Sequence, residues 1–117
     1  MKKVIIAGTR NFGNYQLLYE TMTRLYAEPI EVVCGCAQGA DSLGKKWAEE
    51  KNYPVKLIKP KWEQQGIVAG FNRNVEMADY ADEAVVFWDG QSKGSEHMIK
   101  IMKNIQKKVE IIKYKEK

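Results

Sequence analysis

Apolar residues in this chain fall into two alternating patterns: short continuous runs and longer stretches with helical spacing. The runs are apolar at nearly every position, which is typical of strands that are buried on both faces. The stretches between them place apolar residues three or four positions apart, as on one face of a helix. Together they predict four helices alternating with five strands, at residues 3–7, 30–34, 54–59, 83–88 and 109–112.

Short polar side chains mark the expected starts of helices. Asn14 is a suitable N-cap for the first helix and Ser95 for the fourth, because each can accept a hydrogen bond from a free backbone N–H. Residues 60–71, before the third helix, are predicted to be a long irregular loop. Such loops are more often functional than idle in small domains.

The third helix is predicted from about Asn72 to Ala81, with Val75 and Ala78 facing inward. Arg73 then falls in its first turn, where a cation opposes the helix dipole. A ligand phosphate or a solvent-facing side chain would each relieve this, and a phosphate is the interpretation we favour.

Alternating strands and helices predict an α/β fold: a Rossmann-like, doubly wound parallel sheet with helices on both faces. The simplest strand order is 3-2-1-4-5, in which the chain crosses back between strands one and four. Ligands bind at the carboxyl ends of the strands beside such a switch point. No linker or repeat is evident, so residues 1–117 are expected to form one domain, with a charged tail at 113–117.

Glycine-containing polar loops follow strands one, two and four and are expected to meet at this switch point. The second loop carries Gly35 and Gly39 and runs straight into a helix. Glycine lets a ligand approach the backbone, and the N–H groups of a helix N-terminus attract anions. The spacing matches neither the dinucleotide fingerprint nor the ATPase phosphate loop. Taken alone, this loop fits a tight strand–helix connection as well as it fits an anion-binding site. Three such loops together favour a ligand site.

Composition narrows the classes of function. The formal charge is +4, but the basic residues are mainly scattered lysines, which favour solubility. Arg10 and Arg73 fall at the predicted mouth of the sheet, and arginine suits bidentate phosphate contacts. Without a long apolar run or a signal-peptide pattern, we expect a cytoplasmic protein with no membrane partner. Cys34 and Cys36 are too few for a zinc site, and we expect neither a metal nor a cofactor.

Four segments, taken in order, carry a resemblance to one protein family. They are Gly8-Thr9-Arg10, Gly35-x-Ala37-x-Gly39-Ala40-Asp41, Ala69-Gly70-x-x-Arg73-Asn74 and Trp88-Asp89-Gly90-x-Ser92-x-Gly94-Ser95. In these segments the chain resembles the small YspA-like branch of the SLOG superfamily, whose members occur in bacteria and phages. That superfamily also contains the Lonely Guy phosphoribohydrolases, the DprA/Smf DNA-processing proteins and sensor domains for nucleotide derivatives.

The resemblance implies a Rossmann-like domain that binds a nucleotide or nucleotide-derived ligand. It also implies a homodimer, because related proteins often pair through helices beside the site. The residues expected to contact the ligand are Gly8, Thr9 and Arg10 at the phosphate or ribose, Gly35, Gly39 and Asp41 as a second wall, Arg73 and Asn74 from helix three, and Gly90, Ser92, Gly94 and Ser95 around the phosphate.

One departure from the family pattern bears on catalysis. Met98 stands where the Lonely Guy enzymes carry a catalytic glutamate. We therefore expect a binding module: a sensor, carrier or sequestering protein for a nucleotide derivative. The alternative is a phosphoribohydrolase or related N-glycosidic-bond hydrolase in which Glu96, Asp41 or Asp89 replaces the glutamate. A weaker alternative is single-stranded nucleic-acid binding, for which an obvious row of exposed aromatics is missing.

Several of these residues have a structural interpretation as well. Asp41 could accept hydrogen bonds from ribose hydroxyls, or it could stabilise the first turn of the second helix. Ser95 could bind a phosphate or only cap the fourth helix. His97 is the only histidine and fits a solvated position better than acid–base chemistry. Trp62 and Trp88 could each stack on a base. The structural alternative is that Trp62 covers a loop and that Trp88 fills the core.

Overall fold

The computed structural model of the protein describes residues 1–35 and 38–114. Its centre is a five-stranded parallel sheet in the order β3-β2-β1-β4-β5, which confirms the predicted topology. The strands are β1 (Lys2–Gly8), β2 (Ile30–Cys34), β3 (Val55–Leu57), β4 (Glu83–Trp88) and β5 (Lys108–Lys113). The helices are α1 (Tyr15–Leu25), α2 (Ala40–Lys51), α3 (Trp62–Gln65), α4 (Ala69–Tyr80) and α5 (Lys93–Asn104), and a 3-10 turn at Gly66–Val68 joins α3 to α4.

The sheet is covered on both faces, which explains why its central strands contain continuous apolar runs. Along β1, Val4 and Ile6 face one way and pack in a core with residues of α1 and α2. Ile5 and Ala7 face the other way and pack with residues of α4 and α5. The expectation of helices on both faces is therefore confirmed.

The first two helices follow the sequence signals closely. Asn14 caps α1, and its Oδ1 accepts a hydrogen bond from the Leu17 N–H at 3.0 Å. In α2, Gly44 permits close packing on the sheet, because a Cβ there would lie only 2.6 Å from Cγ2 of Ile6. These contacts set the start of α1 and hold α2 close to β1. None of the described helices is long and apolar enough to cross a membrane.

The region before α4 corrects the sequence prediction. Residues 60–71 were expected to be irregular, but they contain α3, the 3-10 turn and the first residues of α4. Because α4 begins at Ala69, Arg73 lies in its second turn, and the first-turn argument for a nearby phosphate was wrong. Val75 is 51% exposed rather than inward, because the buried face of α4 runs through Asn74, Met77 and Ala78.

The chain ends also differ in detail from the prediction. β5 includes Lys113, which pairs with Trp88, so strand structure extends into the segment that was expected to be a tail. Residues 115–117 of that tail lie outside the described residues, as do Cys36 and Ala37 of the glycine loop.

Candidate functional site

A cleft of about 620 Å³ opens at the carboxyl ends of β1 and β4, where the strand order reverses. This volume is within the range of small-molecule sites. Its lining comes from the end of β1, the loops after β1 and β4, α3, the first turn of α2, α4, and the N-terminal half of α5. Of the residues predicted to contact a ligand, the cleft brings together Gly8, Thr9, Arg10, Asp41, Arg73, Asn74, Ser92, Gly94 and Ser95.

The loop after β1 is held against the end of β4 by Thr9. Its N–H donates to the Phe87 carbonyl at 3.0 Å, and its buried hydroxyl accepts from the Asp89 N–H at 3.2 Å. Only glycine fits at position 8, because a Cβ there would overlap the Phe87 carbonyl. Arg10 follows at the mouth of the cleft; it is exposed and has no hydrogen-bond or ion-pair partner among the described residues.

The loop after β4 is shaped by the carboxylate of Asp89. Its Oδ1 accepts hydrogen bonds from the N–H groups of Gln91 at 2.8 Å and Ser92 at 2.9 Å, which forms an Asx turn. These backbone hydrogen bonds stabilise the charged form and lower the pKa of Asp89 below its ordinary value. Asp89 therefore stays ionised at neutral pH, at the edge of the cleft.

The N-cap of α5 is Ser92, and the prediction of Ser95 was wrong. Ser92 Oγ accepts from the Ser95 N–H at 3.5 Å, and the Ser95 hydroxyl lies 3.2 Å from the same oxygen. Ser95 is therefore a buried residue of the first turn, and it lines the cleft. The first N–H groups of a helix have no partner within it, and they carry the positive end of the helix dipole. The arrangement suits a bound anion.

Arg73 of α4 is engaged by the protein itself. Its guanidinium donates to the carbonyl of Gly35, and its Nε donates to Oδ1 of Asn74 at 3.1 Å. A Cβ at Gly35 would overlap this guanidinium, so the glycine makes room for an arginine rather than for a ligand. The buried carboxylate of Asp41 accepts from the Gly35 N–H at 3.1 Å. Gly35 is not among the lining residues, and its role is to join β2 to α4 and α2.

Gly39 and Gly90, also predicted to contact the ligand, are not among the residues that line the cleft. Gly39 has a φ of +77°, and a side chain there would overlap the carbonyls of Thr9 and Arg10, so it packs the start of α2 against the loop after β1. Gly90 has a φ of +89° and no atom within 4 Å of its would-be Cβ. Backbone conformation is what requires glycine at position 90.

Asn74 links Arg73 to the start of α5. Its Nδ2 donates to the Gly94 carbonyl at 3.3 Å and lies 3.3 Å from Nδ1 of His97. Because the amide presents a donor, Nδ1 is the accepting nitrogen of a neutral imidazole. Burial lowers the pKa of His97, which is half-buried and packs edge-on against Phe71. The prediction of a solvated histidine was therefore wrong.

The three carboxylates considered for catalysis occupy different places. Glu96 is exposed, pairs with Lys100 at 3.2 Å and is not among the lining residues. Asp41 and Asp89 do line the cleft, and both accept backbone hydrogen bonds. Met98 is buried and faces the cleft where a glutamate was sought. Across residues 1–35 and 38–114, no group of three or more His, Cys, Asp or Glu is placed to hold a metal ion.

The structure adds residues to the site that the sequence analysis did not select. Phe71 was assigned to a loop and given no role, but it lines the cleft with its side chain half exposed. Trp62 lines the cleft as well, whereas Trp88 does not; the Trp88 indole donates to the Ser92 carbonyl at 3.0 Å. Asn11 and Gln91 also contribute. Phe71 could have been identified only by predicting that residues 69–72 belong to the third predicted helix.

Comparison with known proteins identifies the family of this chain. Residues 2–65 match the family described as "YspA, cpYpsA-related SLOG family". The chain belongs to this SLOG family. The gene 61 protein of Mycobacterium phage D29 is 32% identical over 109 residues, and the alignment covers 86% of this chain and 87% of that protein. No solved structure gives a significant match.

The residues that match the SLOG family include the end of β1, the loop after it and the first turn of α2, which contribute Gly8, Thr9, Arg10 and Asp41 to the cleft. The α/β fold with strand order 3-2-1-4-5 is consistent with that membership. Membership suggests binding or processing of nucleotide-related molecules.

Proposed function

We propose that this protein binds a nucleotide or nucleotide-derived ligand as a sensor, carrier or sequestering module. The observation that carries the proposal is the cleft at the switch point. It combines the N-terminus of α5 with an arginine, Arg10, that has no partner among the described residues. A cation without a partner in the described part of the chain and a helix N-terminus in the same cleft favour an anionic ligand.

The phosphate of the ligand is assigned to the start of α5. N–H groups of the first turn and the Ser92 hydroxyl supply donors there, and the Ser95 hydroxyl, which donates to Ser92 Oγ, can rotate to donate to a phosphate oxygen instead. Arg10 supplies a charge-assisted donor from the loop after β1. This role for Ser92 is compatible with capping, because a hydroxyl oxygen has two lone pairs and its proton can still be donated.

The ribose is assigned to the carboxylates of Asp41 and Asp89. Both line the cleft, and carboxylate oxygens accept hydrogen bonds from sugar hydroxyls. The lowered pKa of Asp89 keeps it an acceptor, which also makes it unsuitable as a general acid at neutral pH. With Met98 at the glutamate position and Glu96 outside the cleft, binding without turnover is the function that this geometry favours.

We also propose that the protein is a cytoplasmic homodimer. The support is a pair of apolar side chains at helical spacing, Val68 and Val75, which are about half exposed. Val75 is not among the lining residues, so Val75→Glu places a charge on this surface outside the cleft. Sedimentation velocity should show a dimer that dissociates in this variant; a wild-type monomer would contradict the proposal.

The binding proposal is tested by incubating the protein with a panel of nucleotides and separating bound from free compounds by ultrafiltration. Mass spectrometry of both fractions then measures retention and turnover together. We expect one class of nucleotide to be retained intact. Release of free base with ribose phosphate would establish a hydrolase instead, and no retention of any nucleotide would contradict the proposed function.

A further inference from the structure

Part of the cleft is aromatic rather than polar. Trp62, the first residue of α3, and Phe71, in the first turn of α4, both line it. Their side chains are 52% and 49% exposed, whereas Trp47 and Phe87 are fully buried in the core. Large aromatic side chains gain most when covered, so a pair left open inside a ligand-sized cleft indicates that something covers them.

Neighbouring contacts hold both rings in place. A Cβ on Gly70 would lie 3.5 Å from Cη2 of Trp62, so the indole rests against the first turn of α4. The ring of Phe71 meets the His97 ring edge-on, with centroids 4.6 Å apart and an interplanar angle of 88°. Rings that are already positioned lose little conformational entropy when a flat ligand packs on them.

From this pair we infer that Trp62 and Phe71 form a stacking wall for the base of the ligand, so the cleft selects nucleotides over base-free sugar phosphates. The inference rests on the proposed function and divides the cleft into two parts. The start of α5 and Arg10 hold the phosphate, and the aromatic wall takes the base. Stacking on aromatic side chains tolerates every base because each has a π-face. We therefore expect discrimination against the absence of a base rather than between bases.

The test is calorimetric titration with AMP, GMP, CMP and UMP and, as the base-free probe, ribose 5-phosphate. The wild-type protein should bind the nucleoside monophosphates at least tenfold more tightly than ribose 5-phosphate. Trp62→Ala and Phe71→Ala should each weaken nucleotide binding by about 5- to 150-fold, the range for loss of one base–aromatic stack. Neither should change the affinity for ribose 5-phosphate.

Three further variants control the measurement. Trp62→Phe keeps an aromatic face and should retain most of the affinity, while Trp62→Leu keeps apolar area without a π-face and should not. Tyr19→Ala removes an aromatic side chain that is 36% exposed on α1 and is not among the lining residues. It should leave the affinity for nucleotides and for ribose 5-phosphate unchanged. Circular dichroism confirms that each variant is folded.

The outcomes separate this inference from the function on which it rests. Equal wild-type affinity for nucleotides and ribose 5-phosphate would overturn the stacking wall and leave sugar-phosphate binding standing. Parallel loss of both kinds of probe in Trp62→Ala and Phe71→Ala would also overturn it, because the whole cleft would have changed. No binding of any probe would overturn the proposed function and the inference together.

Discussion

Arg10 and Arg73 line the same cleft but differ in how much of each side chain remains for a ligand. Arg73 already donates to the Gly35 carbonyl and to Asn74, so it holds β2 and α4 together. Arg10 is exposed and has no hydrogen-bond or ion-pair partner within residues 1–35 and 38–114. The sequence predicted both arginines at the mouth of the sheet. Which of them is available to a ligand depends on contacts between residues far apart in sequence, such as the one between Arg73 and Gly35.

Replacement of Arg10 should therefore affect binding more than stability. Arg10→Ala is expected to weaken AMP binding by about 1.5–3 kcal/mol, the value of a hydrogen bond to a charged group, which is roughly 10- to 150-fold. The melting temperature should not change. Arg24→Ala removes the same charge from an exposed position on α1 and serves as the control. Calorimetry on both variants decides; equal AMP affinity in Arg10→Ala and wild type would remove Arg10 from the site.

Arg73→Ala, in contrast, should lower both stability and affinity. It removes the hydrogen bonds to Gly35 and Asn74 as well as a cation at the cleft. Loss of affinity with unchanged urea denaturation would show that these internal contacts contribute nothing to the fold.

His97 should make stability depend on pH in a defined direction. Burial lowers the pKa of His97 in the folded protein below the ordinary value of about 6.5, so the unfolded chain binds a proton more readily. Its contribution is complete above about pH 6.5 and is lost as pH falls from there through the folded pKa. The drop in melting temperature from pH 7.5 to pH 5.5 should be smaller in His97→Gln than in wild type. Equal drops would show that His97 does not contribute.

At the scale of elements, the start of α5 combines capping with the proposed phosphate site. The Asx turn at Asp89 and the cap at Ser92 set where the first N–H groups of the helix lie. The sequence indicated that a helix begins in this loop, and Ser95 was predicted to be its cap. Only the hydrogen bond from the Ser95 N–H to Ser92 Oγ shows that Ser92 is the cap and that Ser95 lies in the first turn.

Two N-cap variants separate the structural from the functional role of this loop. Ser92→Ala and Asn14→Ala each remove a capping side chain and should each cost about 1 kcal/mol of unfolding free energy. Only Ser92→Ala should also weaken AMP binding, because Asn14 is not among the lining residues. Urea denaturation and calorimetry on the same samples test both statements. Unaltered AMP affinity in Ser92→Ala would limit that serine to capping.

At the scale of the whole molecule, Lys107 connects the end of α4 to the entry of β5. Its ammonium donates to the carbonyls of Ala78 at 2.7 Å, Asp79 at 3.0 Å and Ala81 at 2.6 Å. The last carbonyls of a helix have no partner within it and carry the negative end of its dipole, so a cation there is favourable. This contact fastens α4, which carries Arg73 and Asn74, to the edge of the sheet.

Lys107→Met should destabilise the protein without altering the cleft directly. The expected cost is about 1.5–3 kcal/mol, from the loss of hydrogen bonds to a charged group. Lys45→Met, on the exposed face of α2, provides the control and should change stability by less than about 0.5 kcal/mol. Urea denaturation is the measurement. Equal stability of the two variants would mean that water replaces the ammonium without cost.

Three features of this protein were determined by the sequence alone, because their causes are local. Runs that are apolar at nearly every position specified buried strands, and their alternation with helical patterns led to the strand order 3-2-1-4-5. Asn14 specified the start of α1. The glycine loops after strands one, two and four identified the edge of the sheet where the cleft lies.

Tertiary structure decided what each residue does at that edge, because the deciding contacts join residues far apart in sequence. Gly35 was selected as a ligand contact, but it is required because the Arg73 side chain, thirty-eight positions later, occupies its space. Val75 was predicted to face inward and Phe71 was assigned to a loop, and only the packing of α4 on the sheet shows that both side chains remain open to solvent. Periodicity specifies which elements form, whereas the neighbours across the cleft determine which side chains remain for a ligand.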